Sequence, residues 1–191
     1  MHPLLMPTIG YFILFNSNSY LSFTVPEKAI NAVYILVFVN TFVLPALIFY
    51  LLYKKGILGD LYIHNKSERT LPYSISIVIY GLSFYYINES GLPKIIPNFL
   101  LGATLAIFIT LLVNLKWKIS AHLVGFGGLM GAVFAAGIKF GLNVLPAMLL
   151  MSLFAGYLAS ARLRLGAHTP SQVYVGFLTG FLIESLFIFY Y

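Results

Sequence analysis

Apolar stretches of about 20 residues, separated by short polar connections, repeat along almost the whole of this chain. At 1.5 Å per helical residue, about 20 residues cross the ~30 Å hydrocarbon core of a bilayer. None of the stretches shows the strict alternation that a barrel strand needs. Charged residues make up 8% of the chain, against about 25% in an ordinary soluble domain, and mean hydropathy is +0.93. A chain of 191 residues that is 60% hydrophobic has too little interior to hide its apolar surface from water. The sequence therefore predicts an all-α, polytopic transmembrane helical bundle, folded as a single integral membrane domain over residues 1–191.

Spans are expected at about Ile30–Tyr53, Pro72–Ile87, Ile96–Leu115, Ser120–Ile138, Val144–Ala161 and Ser171–Tyr190. A further apolar stretch, about Leu4–Leu21, contains Pro7, Gly10 and the polar run Asn16-Ser17-Asn18-Ser19. It is expected either to span, giving seven crossings, or only to dip into the bilayer. No cleavable signal peptide is evident, so insertion is expected to use the first apolar segments themselves. Short connections predict antiparallel packing of consecutive helices.

That topology puts the connections around Lys54–Leu71, Asn114–Ile119 and Arg162–Pro170 on one membrane face. This face gathers Lys54, Lys55, Lys66, Arg69, Lys116, Lys118, Arg162 and Arg164, whereas the opposite face has Lys28, Lys94 and Lys139. Charge bias alone would place the richer face in the cytoplasm. The bias loses its meaning if Lys66, Arg69, Lys118 and Arg162 are there to hold an anion. Two histidines accompany these cations. His122 precedes Gly125, Gly127, Gly128 and Gly131, and His168 precedes the Gly-x-x-x-Gly pair Gly176 and Gly180. Small residues at that spacing let helix backbones approach closely.

Two histidines among several cations suit phosphoryl transfer. One neutral imidazole attacks phosphorus and the other, protonated, donates to the leaving oxygen, while arginine and lysine neutralise the equatorial oxygens. Ser120 stands where a helix should begin, so its hydroxyl and nearby free N–H groups suit an anion. Other chemistries fit less well. Two histidines without carboxylates at ligand spacing make a poor zinc site, so no metal and no cofactor are expected. The chain has no cysteine for a thiolate site and no basic stripe for nucleic acid. The charges cluster at one face, not at the midplane where transporter sites lie. Arg164 suits a headgroup anchor, Trp117 an interfacial anchor, and Glu184, inside the last span, must face protein.

In this order the residues resemble the type 2 phosphatidic acid phosphatase superfamily, membrane phosphatases that share a site plan with vanadium haloperoxidases. That family's third motif is Ser-Arg-x5-His-x3-Asp, and this chain has Ala161-Arg162, five residues, His168, three residues and Gln172. The second motif, Pro-Ser-Gly-His, has its counterpart in Ile119-Ser120-Ala121-His122. The first, Lys-x6-Arg-Pro, is met only loosely by Lys66-Ser67-Glu68-Arg69-Thr70-Leu71-Pro72. The resemblance spans about residues 65–180. It implies that His168 is the nucleophile and His122 the general acid. Arg162, Ser120, Lys66, Arg69 and Lys118 would hold phosphate, and Gln172 would replace the aspartate that orients the nucleophile.

The function so implied is metal-independent hydrolysis of a membrane lipid phosphomonoester or diphosphate through a phosphohistidine, with phosphate or vanadate as a ligand. The alternative is a catalytically inactive relative that serves as a binding or assembly subunit. Family precedent places such a site in a bacterial inner membrane, facing the periplasm.

Overall fold

The structure is a computed structural model that describes residues 2–17, 20–60 and 67–190. The described residues form helices and no strand, and six of the helical segments are long and apolar enough to cross a membrane. The first is α3 (Glu27–Phe38) continued by α4 (Leu44–Lys54). The others are α5 (Thr70–Glu89), α6 (Ile95–Lys116), α7 (Ala121–Phe140), α8 (Leu145–Arg164) and α9 (Pro170–Tyr190). The protein is an all-α polytopic bundle and an integral membrane protein. The expected spans fall inside these helices to within a few residues, and α5 extends its short expected span at both ends.

The stretch Leu4–Leu21 does not form one spanning helix. It contains a 3₁₀ turn (Pro3–Leu5), then α1 (Met6–Asn16) and, beyond it, α2 (Tyr20–Thr24). At 11 residues α1 is about 17 Å long, little more than half the hydrocarbon thickness. Its side chains are nevertheless interior: Met6, Tyr11, Leu14 and Phe15 are buried against the long helices.

Between α3 and α4 the helix widens into one π-helical segment, Val39–Val43. Pro45 supplies the reason. It has no N–H to give to the Thr41 carbonyl, and its ring would press on that group in a regular α-helix. The freed Thr41 oxygen accepts instead from the Tyr80 hydroxyl on α5, 3.2 Å away, so no buried acceptor is orphaned in an apolar medium.

Helices α7 and α9 make the tightest pair, and they run parallel because both begin at the same face. A Cβ added to Gly127 would fall on the Phe177 carbonyl, one at Gly131 on that of Phe181, and one at Gly180 on that of Val124. The contact is backbone against backbone, along two glycine stripes. Lipid tails are as apolar as leucine, so association here rests on close van der Waals packing. The stripe also reaches the helix starts, since a Cβ at Gly176 would lie 2.9 Å from the Ser120 carbonyl oxygen. Helix α8 lies at the periphery, with Leu145, Leu149, Leu150, Leu153 and Tyr157 exposed.

Candidate phosphoryl-transfer site

The run from Arg162 to His168 is a helix end folded back on itself. Gly166 adopts φ +60°, a left-handed conformation that glycine takes without strain. Its N–H donates to the Leu163 carbonyl at 2.9 Å, and the Ala167 N–H donates to the Arg162 carbonyl at 3.2 Å. This paired closure is a Schellman motif. The five residues between Arg162 and His168 are therefore the last turn of α8 and its reversal, and the reversal carries His168 back toward the start of α9.

Gln172 then does two things. Its side-chain oxygen accepts the Thr169 N–H at 3.2 Å, half of a capping box at the start of α9. The same oxygen lies 3.0 Å from Nδ1 of His168. A backbone N–H can only donate, so the shared atom is the amide oxygen and Nδ1 must carry the proton. Nε2 of His168 is left with its lone pair. The imidazole is buried, at 7% exposure.

The cations arrive from three elements. Arg69 ends a 3₁₀ turn before α5 and is buried. Its Nη1 donates to the Ile119 carbonyl at 3.4 Å, and its guanidinium hydrogen-bonds the Tyr73 hydroxyl one turn on. Lys118 stands on the extended link between α6 and α7, and Arg162 on the last turn of α8. Arg162 has a buried Nε with no partner. Ser120 is fully buried at the N-cap of α7, yet its hydroxyl caps nothing and has no hydrogen-bond partner. Its backbone N–H donates to the Gln172 carbonyl at 3.3 Å, which ties the starts of α7 and α9 together. A buried hydroxyl and a buried guanidinium nitrogen without partners, on a face that carries other cations, make a candidate place for an anion. The N-termini of α7 and α9 add their positive dipole ends at the same spot.

Electrostatics show how close these groups are. Burial and the charges of Arg69 and Arg162 pull the Lys118 ammonium below its ordinary range. His168 is lowered to about 4, chiefly by burial; the Gln172 hydrogen bond acts the other way, and the charges of Arg69, Lys118 and Arg162 add to the lowering. His122, in the first turn of α7, feels the charges of Arg162, His2 and His168. Arg69, Lys118, Ser120, His122, Arg162, His168 and Gln172 thus share one face. Lys66, the remaining expected phosphate ligand, lies outside the described residues, and Arg164 points outward, exposed.

No protein-family model matches the chain, and no curated protein or solved structure is significantly similar to it.

Two neighbours of these residues were not expected from the sequence. His2 sets its ring edge-on to His122, with centroids 6.2 Å apart. Nothing in a terminal histidine announces this, because the contact depends on where the 3₁₀ turn and α1 pack. Tyr73 had a visible signal, since it lies four residues after Arg69 in the first turn of a helix, within reach on one face.

With its pKa lowered to about 4, His168 is neutral at ordinary pH. Ring-nitrogen NMR of the protein in nanodiscs should show His168 taking up its proton near pH 4 and not near 6.5. Added phosphate should raise that midpoint, because an anion among the cations favours imidazolium. A midpoint at or above 6.5 without anion would contradict the burial and the cation cluster together.

Proposed function

We infer that the protein is a metal-independent lipid phosphatase that works through a phosphohistidine on His168. The observation that carries this reading is a neutral, hydrogen-bonded His168 set beside Arg69, Lys118 and Arg162. In this reading Nε2 of His168 attacks phosphorus as the bond from phosphorus to the lipid oxygen breaks. Arg69, Arg162, Lys118 and the Ser120 hydroxyl hold the oxygens on which charge spreads. His122, protonated once the dianionic substrate sits against it, gives its proton to the departing lipid oxygen. Water then attacks the phosphoimidazole, His122 takes a proton from that water, and inorganic phosphate leaves. Gln172 keeps the attacking ring in the right tautomer throughout.

The test is phosphate release by purified protein, with chelator present, from a panel of phosphatidic acid, polyprenyl diphosphate, phosphatidylglycerol phosphate and lipid A phosphate. Release from at least one, inhibited by orthovanadate, is expected. Gln172 favours a second reading, because its amide cannot supply the negative charge that stabilises a cationic imidazole. Orthovanadate binding by calorimetry, without turnover of any lipid, would identify an anion-binding relative without catalysis. No binding at millimolar orthovanadate would remove both readings.

The same resemblance assigns the site to the periplasmic face of a bacterial inner membrane. The chain lacks cysteine, so Leu165→Cys gives a single exposed thiol beside the site. It should react with an impermeant maleimide in cells whose outer membrane alone is permeable. Reaction only after the inner membrane is broken would place the site in the cytoplasm.

A further inference from the structure

Below the cation cluster lies a narrow cavity of about 100 Å³, between α1, α5, α6, α7 and α9. Its upper rim includes Pro3, Tyr73 and Ala121, each next to a residue of the site or one turn from it. Its walls are apolar: Phe99, Ala103, Ala106, Ile107 and Leu129 are among the lining residues. Glu184, from the second half of α9, also lines it.

Glu184 is the anomaly. It is 2% exposed, lies at bilayer depth, and its Oε2 has no hydrogen-bond partner. The Thr110 and Tyr80 hydroxyls, which share the cavity wall, are already donated to the carbonyls of Ala106 and Thr41. Room for the carboxyl is built by two glycines. A Cβ on Gly102 would come 2.6 Å from Oε2, and one on Gly128 would come 3.1 Å from Cγ of Glu184. An intramembrane acid with an unpartnered carboxyl oxygen, in space cleared for it, is a candidate for function. Gly128 lies eight residues along α7 from Ser120, so the carboxyl sits about 12 Å below the anion site.

We propose that this cavity takes a segment of one apolar chain of the lipid phosphate, and that Glu184 hydrogen-bonds a hydroxyl or amide carried partway down that chain. The proposal rests on the phosphoryl-site reading and names its substrate class: a single-chain-binding site selecting a chain with a mid-chain polar group. A plain hydrocarbon would leave the carboxyl unpartnered, and an unpartnered buried polar group disfavours binding by about tenfold or more.

The experiment uses full-length protein in nanodiscs and an alkylphosphonate with a diazirine at the chain end, a head that cannot be hydrolysed. Photolabel is expected on α6 between Phe99 and Ile107 or around Leu129. Excess orthovanadate should suppress it, and Ala106→Phe, which fills the cavity, should abolish it. An alkylphosphonate with a mid-chain hydroxyl should displace the probe about tenfold better than the plain chain. That preference should persist in Glu184→Gln, whose amide also hydrogen-bonds, and vanish in Glu184→Leu. Label on outward side chains such as Leu112 or Leu153, or label untouched by Ala106→Phe, would overturn the cavity assignment. Label in the cavity that orthovanadate leaves untouched would overturn the single molecule spanning both sites. Equal displacement by the two chains would overturn the role of Glu184. Calorimetry with methylphosphonate, a head without a chain, separates these failures from failure of the phosphoryl site: its binding needs the cations and not the cavity.

Discussion

Gln172→Asp is expected to raise phosphate release about tenfold or more, and His168→Ala to abolish it in both backgrounds. In the native chain the amide oxygen of Gln172 fixes the His168 tautomer from 3.0 Å but brings no charge. A carboxylate there would stabilise the imidazole as it becomes cationic on bonding to phosphorus. An acid-to-amide change behind a catalytic histidine lowers turnover about 10⁴-fold in a serine protease triad. The reverse change should recover part of that, because a shorter side chain must reach the same ring. Helix α9 should tolerate it, since an aspartate in a first turn still accepts the Thr169 N–H and complements the dipole. Losing His168 removes the proposed nucleophile, an expected loss of about a thousandfold at the least. Phosphate release normalised to protein recovered by gel filtration measures both. Unchanged turnover in Gln172→Asp, from a wild type that is active, would show that charge behind His168 is immaterial.

Gly180→Val and Gly127→Val should prevent assembly of the bundle. Each new Cβ would fall on a backbone carbonyl of the facing helix, Val124 in one case and Phe177 in the other. A flexible side chain can move aside, whereas a helix backbone cannot without separating α7 from α9. Overpacking of this kind destabilises by about 3 kcal/mol or more. Gly156→Ala is the matched control, because nothing lies within 4 Å of a Cβ at that exposed helix position. Alanine is the better helix former there, by up to about 1 kcal/mol. Thermal aggregation in detergent, followed by gel filtration, should rank Gly156→Ala at or above wild type and both valine variants far below. Folded valine variants with wild-type midpoints would mean that α7 and α9 do not meet along these stripes.

The spans were legible because bilayer thickness and helical rise leave one solution for an apolar run of about 20 residues. The geometry of the Arg162–His168 run was implicit in Gly166, the residue type that ends a helix by a left-handed turn. Other features depended on packing at a distance. The π-helical segment follows from Pro45 only once Tyr80 is in place to satisfy Thr41. The half-length α1 lies in an apolar stretch whose hydropathy does not say whether it faces lipid or protein. His2 reaches His122 only because α1 packs against α7, and no local pattern encodes that contact. Glu184 stood out as an intramembrane acid, but the glycines that clear space for it sit on α6 and α7, far away in sequence.

The proposed catalysis requires a covalent phosphate on His168, which trapping would reveal. Protein in nanodiscs would be mixed with a radiolabelled lipid phosphate that it hydrolyses, and quenched in alkali, where phosphohistidine survives. An acid-labile label is expected on the peptide that contains His168, with no label in His168→Ala. Phosphate release without label on any histidine, or label that persists in His168→Ala, would contradict it.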